Sequence, residues 1–405
     1  MAVGLKEPDV LLPVKGVRLA AIAAGIKKKA GAKDLVLFEL SEGSKVAAVF
    51  TKNLFCAAPV VVSKSHLSQQ SPRYLLINAG NANAGTGSIG MQSATSCCEM
   101  VAEVARCHAN QVLPFSTGVI GENLPLEKFK NGIPVVFSAL NEDAWLEVGR
   151  GIMTTDTMLK GITKTFNVDG VTTTITGVAK GSGMIHPDMA TMLAFIATDA
   201  AVSQNLLDKM LSNAVDHSFN SITVDGDTST NDACVLIATG KAGNKEIKAS
   251  GKDYDTLQQV INEVCSYLAQ AIVRDGEGAT KLITLEVVNA RTVQDAKQIG
   301  FTIAHSPLVK TAFFASDPNW GRILAAVGRS GVDIDIDKIR IYLGDVCIVE
   351  NGGRAASYTE AQGKKVMAES EIHIRVDLSA GIASSQIWTC DFSYDYVKIN
   401  AEYRT

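Results

Sequence analysis

The apolar residues of this chain come in short pieces. Val17–Ile26, Leu35–Leu40, Val46–Thr51, Pro59–Val62 and Tyr74–Asn78 each span four to ten residues and carry many β-branched side chains. Runs of this length predict strands, and no apolar run reaches the roughly 18 residues that a membrane-spanning helix needs. Lys164–Val168 and Val171–Val178 flank Asp169-Gly170, a dipeptide suited to a two-residue hairpin turn. Thr191–Thr198, Lys281–Asn289, Ile339–Val349, Glu371–Asp377 and Ile387–Tyr396 extend the set of predicted strands. Helical spacing predicts helices over Gln92–Asn110, Asp143–Thr154, Leu206–Phe219 and Leu257–Val273, and one starting near Trp320. Strands and helices mix without a strict βαβ beat. The pattern implies an α/β chain of the α+β sandwich kind, not a regular parallel sheet.

At 405 residues the chain has room for two or three domains. Hydrophobic residues make up 46% and charged residues 20%, enough to bury a large core and too apolar for a disordered chain. Lys and Arg number 38 against 42 Asp and Glu, a net charge of −4, and aromatics are 6%. Neither figure suits a nucleic-acid binder, which needs a basic surplus and stacking rings. The eight cysteines form no C-x-x-C pair and sit in apolar stretches, as reduced buried thiols do. The N-terminus shows no basic region followed by an apolar core. These features together lead to the expectation of a soluble cytoplasmic protein.

The most distinctive segment is Lys180-Gly-Ser-Gly-Met-Ile-His-Pro-Asp-Met-Ala-Thr191-Met-Leu. Its plain reading is a loop between the hairpin and the next strand. Its chemical reading is a self-cleavage site at Ala190-Thr191. The Thr191 hydroxyl would attack the Ala190 carbonyl carbon, turn the amide into an ester, and leave water to open it. A threonine hydroxyl is a weak nucleophile, but the freed α-amine, with a reference pKa of about 7.7–8.0, can take its proton. Nucleophile and base then belong to one residue, and no G-x-S-x-G elbow is present to compete.

This segment resembles the cleavage segment of the ornithine acetyltransferases, the glutamate N-acetyltransferases of arginine biosynthesis. The resemblance extends to Ser116-Thr117-Gly118-Val119-Ile120-Gly121, Met153-Thr154-Thr155-Asp156-Thr157, Thr223–Asp232, Arg274–Lys281, Ser316–Arg322 and the terminal Ile399–Thr405. Several long blocks in order are far more specific than one short motif. The resemblance implies a fold akin to, but distinct from, the N-terminal-nucleophile hydrolases. It implies two fragments, 1–190 and 191–405, that stay together, two of each. It also implies ping-pong acetyl transfer from N2-acetylornithine to glutamate through Thr191, with no cofactor and no metal, and leaves open acetyl-CoA as a second donor. Thr117 and Gly118 would form the oxyanion hole. Thr154, Lys180, Thr191, Glu277, Asn400 and Thr405 would bind substrate, and the pattern leaves Thr155 open as the contacting threonine.

The residue types fit those roles. Glycine lets a backbone N–H approach a developing oxyanion. A lysine can grip a carboxylate, and a glutamate between two glycines can hold an amine. Each also has a plain reading as a turn or a surface charge. Val224–Asp232 holds three aspartates but misses the calcium-loop template, with Thr230 in the glycine place and Leu236 in the glutamate place. It reads as a polar structural loop near the site. His186 reads as a solvated loop histidine. Gly85-Thr-Gly-Ser-Ile-Gly90 satisfies G-x-G-x-x-G, yet begins seven residues past Asn78, too far from the predicted strand for a dinucleotide loop. The alternative function is hydrolysis by the same N-terminal nucleophile, as in aminopeptidases of similar architecture.

Overall fold

A computed structural model describes residues 2–186 and 192–402. Among them, three sheets organise the chain. The first runs Val17–Ile22, Leu35–Leu40, Tyr74–Asn81, Val112–Val119 in spatial order. The second runs Lys45–Phe50, Ala233–Ala238, Leu193–Thr198, Val171–Lys180, Lys160–Val168. The third gathers six strands from the C-terminal part of the chain, centred on Glu371–Asp377 beside Leu282–Ala290.

Side-chain alternation explains the layering. In Leu193–Thr198, Leu193, Phe195 and Ala197 point to one core, while Ala194 and Ile196 point to another. The first core lies between the two N-terminal sheets, where Phe38 meets Phe195 at 5.5 Å and Trp145 at 5.7 Å. The second lies under the helices Gln204–Asp216 and Lys252–Arg274. Helices Ala58–Gln69, Gly87–Ala105 and Leu126–Ser138 cover the outer face of the first sheet. The result is a helix–sheet–sheet–helix sandwich, with the third sheet and its helices as a separate core. Strands buried on both faces read as unbroken apolar runs, which is why Leu35–Leu40 lacks alternation.

The expected mixed α/β architecture is what the structure has. The Asp169-Gly170 turn carries φ of 51° and 74°, the two positive angles a tight hairpin requires. Three predicted strands are corrected. Pro59–Val62 lies in a helix that Pro59 opens within its first two positions, so packing overrides the β-branched run. Ile339–Val349 is broken by a turn at Gly344 into Arg340–Leu343 and Val346–Glu350. Ile387–Tyr396 ends as a strand at Cys390, and a helix follows over Tyr394–Ala401. No helix among the described residues is long and apolar enough to cross a membrane. All eight cysteines are unpaired.

Position 190 falls inside the second sheet's strand succession. Lys45–Phe50 and Val171–Lys180 precede it, and they flank Ala233–Ala238 and Leu193–Thr198, which follow it.

Candidate active site

A cavity of about 260 Å³ opens where the two N-terminal sheets meet the 275–278 turn and the C-terminal helix. Thr117, Gly118, Thr154, Thr155, Lys180, Glu277 and Asn400 all line it. These come from five separate stretches of chain, so only the fold brings them together. Ala190, Thr191 and Thr405 lie outside the described residues.

Thr117 and Gly118 end the strand Val112–Val119, which pairs in parallel with Tyr74–Asn81. The register slips at Gly80 and Asn81, the kind of irregularity that re-aims a strand end. Gly118 has φ +134°, and a Cβ there would lie 2.3 Å from the Gly80 carbonyl carbon. Only glycine fits this approach. Asn231 crosses to the same strand end, donating from Nδ2 to the carbonyls of Ser116 (3.0 Å) and Ala82 (2.7 Å).

Lys180 ends the hairpin strand and is 3% exposed. Its Nζ has no hydrogen bond or ion pair among the described residues. Burial pushes its ammonium below the ordinary lysine value, and Lys160 adds to that, while Asp156, Asp232 and Glu277 resist it. A buried cation that no described residue pairs with, on a cavity wall, is suited to bind an anionic group. Glu277 is held by its own backbone, whose N–H donates to the Ser182 carbonyl at 2.9 Å, and Asn400 Nδ2 donates to its Oε2 at 2.9 Å. Gly183 leaves the room this needs: a Cβ there would fall 2.5 Å from the Glu277 carboxyl carbon.

Behind this wall sits an ionic cluster that sequence reasoning missed. Lys160 Nζ lies 2.7 Å from Asp156 Oδ1 and 2.6 Å from Asp275 Oδ2, with essentially no solvent exposure. Asp156 also accepts from the backbone N–H of Thr154 (2.9 Å) and of Gly181 (2.7 Å). Asp275 accepts from the N–H of Thr157 at 2.9 Å, and its carbonyl accepts from Ser182 Oγ at 2.7 Å. One cluster thus fixes the backbones that carry Thr154, Lys180 and Glu277. Burial pushes the Asp156 carboxyl up, but Lys160 and Lys180 and the bonds it accepts outweigh this and bring it below the usual range. Burial pushes Lys160 down, and its two carboxylates reverse the sign.

Asp232 was also missed as an individual. Its Oδ1 accepts from the N–H of Met192 at 3.1 Å, and its Oδ2 is buried with no hydrogen-bond partner among the described residues. Burial pushes its carboxyl well above the usual range. The rest of Val224–Asp232 forms a polar loop at the cavity, with Asp225 accepting from the N–H of Met184 and Ile185. Among the described residues no group of three His, Cys, Asp or Glu could hold a metal ion. His186 is half-buried and meets His305, Nδ1 to Nε2, at 2.9 Å. At Gly85–Gly90, the helix begins at Gly87, and Asn83 Nδ2 donates to the Gly90 carbonyl at 3.0 Å, so the loop is braced by its own side chains.

A family model described as the ArgJ family matches residues 18–405. The chain belongs to the ArgJ family. An arginine biosynthesis bifunctional protein ArgJ of Pseudomonas fluorescens (strain Pf0-1) is 55% identical over 407 residues and covers 100% of both chains. Among solved structures, the protein of that name from Bacillus halodurans is 39% identical, with a TM-score of 0.49 over 51% of this chain and 96% of its own. An ornithine acetyltransferase of Mycobacterium tuberculosis, solved with ornithine, is 32% identical, with a TM-score of 0.38 over 43% of this chain and 92% of its own.

Proposed function

We propose that this ArgJ-family chain moves acetyl from N2-acetylornithine to glutamate through an acetyl-Thr191 intermediate. That it is an acetyltransferase of arginine biosynthesis, acting on small molecules, follows from its family. The finer reading is supported by one observation above others: seven residues named from five distant stretches line a single cavity. Met192, the neighbour of Thr191 in sequence, is bonded to Asp232, whose loop also lines that cavity.

In this reading the precursor cuts itself between Ala190 and Thr191. The α-amine of Thr191 then accepts the proton of its own hydroxyl, and the hydroxyl oxygen attacks the acetyl carbonyl carbon. Thr117 and the Gly118 N–H hold the oxyanion. The intermediate collapses with loss of ornithine, whose amine takes the proton. Glutamate's amine attacks the acetyl ester and leaves as N-acetylglutamate, restoring the hydroxyl. Lys180 grips a substrate carboxylate and Glu277 a substrate ammonium, with Thr154, Asn400 and Thr405 completing the pocket. Fragments 1–190 and 191–405 remain together as a heterotetramer in the cytoplasm. Acetyl-CoA serves as a further donor to glutamate.

The test is acetyl transfer followed by mass spectrometry of products and of the intact protein. Glutamate-dependent formation of N-acetylglutamate, with two protein masses, supports the reading. Release of acetate at the same rate without glutamate would instead point to hydrolysis.

Two variants probe the named roles. Thr117→Ala lowers kcat about 10²–10³-fold with little change in KM, because an oxyanion donor acts chiefly in the transition state. Steady-state kinetics on processed enzyme check this. For Lys180 the sign follows from its depressed pKa: the ammonium loses its proton below the ordinary 10.5. KM for N2-acetylornithine therefore rises with pH on a limb that begins below that value. Lys180→Arg keeps its charge and removes the limb. An unchanged limb in the arginine variant would assign the titration elsewhere.

A further inference from the structure

A second cavity, about 460 Å³, opens on the far side of the 183–186 segment. Lys52, Lys297 and Arg329 stand on its wall with Phe301, His186 and His305. Lys297 Nζ donates to the Asp216 carbonyl at 3.1 Å, and Arg329 Nη2 to the Thr302 carbonyl at 3.2 Å. Neither cation pairs with a carboxylate among the described residues. The Asp216 carboxylate, also on the wall, accepts from Asn220 Nδ2 at 3.0 Å. Among the described residues of its wall, positive charge therefore outnumbers negative. The Phe301 ring stacks on His305 at 5.6 Å and 25°, giving it an aromatic side.

We propose that this second cavity binds a nucleoside phosphate, with Lys297 and Arg329 on the phosphate oxygens and the base beside Phe301. Cations with spare donors recognise phosphate, rings accept a base, and the volume falls in the range of small-molecule sites. The two cavities are neighbours. Met184 lines the first and His186 the second, so their Cα atoms are at most about 7 Å apart. Asp225 pins the dividing backbone through the N–H groups of Met184 (2.6 Å) and Ile185 (2.9 Å). The same nucleotide chemistry has two sources: a free nucleotide, or the nucleotide end of an acetyl-thioester donor whose acyl arm reaches the first cavity. The second source rests on the acetyl transfer proposed above.

Calorimetric titration of the purified protein with adenosine 3′,5′-bisphosphate tests the site. Saturable binding is expected, weakened about ten-fold or more by Lys297→Ala/Arg329→Ala and weakened again by added salt. No saturable binding, or equal binding by the folded double variant, overturns the proposal. Kinetics then separate the sources. A raised KM for acetyl-CoA in the double variant, with N2-acetylornithine–glutamate exchange unchanged, assigns the donor's nucleotide end. An unchanged KM for acetyl-CoA with weakened bisphosphate binding assigns a free nucleotide. Intact bisphosphate binding in a protein with no acetyl exchange at all would remove the proposed function and leave this site standing.

Discussion

Thr191→Ala leaves a single uncut chain of 42.9 kDa and abolishes acetyl transfer. Alanine has no oxygen to attack the Ala190 carbonyl, so no ester forms and no α-amine is released. Both the nucleophile and its base are then missing. Removing a residue of such a unit costs about 10⁴–10⁶ in rate, so residual activity falls below ordinary detection. Thr191→Ser keeps a hydroxyl and retains partial processing. Intact-mass analysis and N-terminal sequencing read the cut, and product formation reads the activity. An alanine variant that is still cut at the same bond and still turns over would sink the nucleophile assignment.

Lys160→Met is the second large effect, and it acts on stability. The side chain sits between Asp156 and Asp275 with essentially no exposure. Methionine fills similar space but leaves two buried carboxylates facing each other. Breaking a buried ionic cluster in this way costs about 3–5 kcal/mol. The pH dependence carries the signature. In the wild type, Asp156 is held below its ordinary 3.8 and Lys160 above its ordinary 10.5. The depressed carboxyl contributes stability that is present above the unfolded carboxyl's pKa and lost as pH falls through the folded one. The raised lysine contributes stability present below 10.5 and lost as pH rises through its folded value. The cluster's contribution is therefore fullest between those limits. In Lys160→Met the Asp156 carboxyl loses the lysine that chiefly held it ionised, so the deficit against wild type shrinks on acidification from neutral. Denaturant melts at two pH values test this. A deficit that stays constant with pH would mean that packing, and not charge, holds the site.

The legible part of the fold was its short-range part. Asp169-Gly170 specifies its own turn, and Glu371–Asp377 alternates cleanly between core and solvent. Pro59–Val62 misled because a β-branched run buried under a sheet looks the same in helix or strand, and only Pro59 marks the difference. Ile339–Val349 misled because two strands of one hairpin share an apolar character, with Gly344 the single sign of a turn. At the site, Thr117, Gly118, Lys180 and Glu277 were readable as parts of ordered motifs. Lys160 was not, since a lone lysine at the start of a strand reads as solvated. Its partner Asp275 stands 115 positions away, and no local pattern announces such a pairing.

The second sheet alternates between the two sides of position 190: Lys45–Phe50, then Ala233–Ala238 and Leu193–Thr198, then Val171–Lys180. On the proposed processing, the halves are woven together before any bond is broken. Two defective alleles, one altered upstream of the cut and one downstream, would then fail to rescue each other in the same cell. Trading halves would require pulling apart the interior of an already finished molecule.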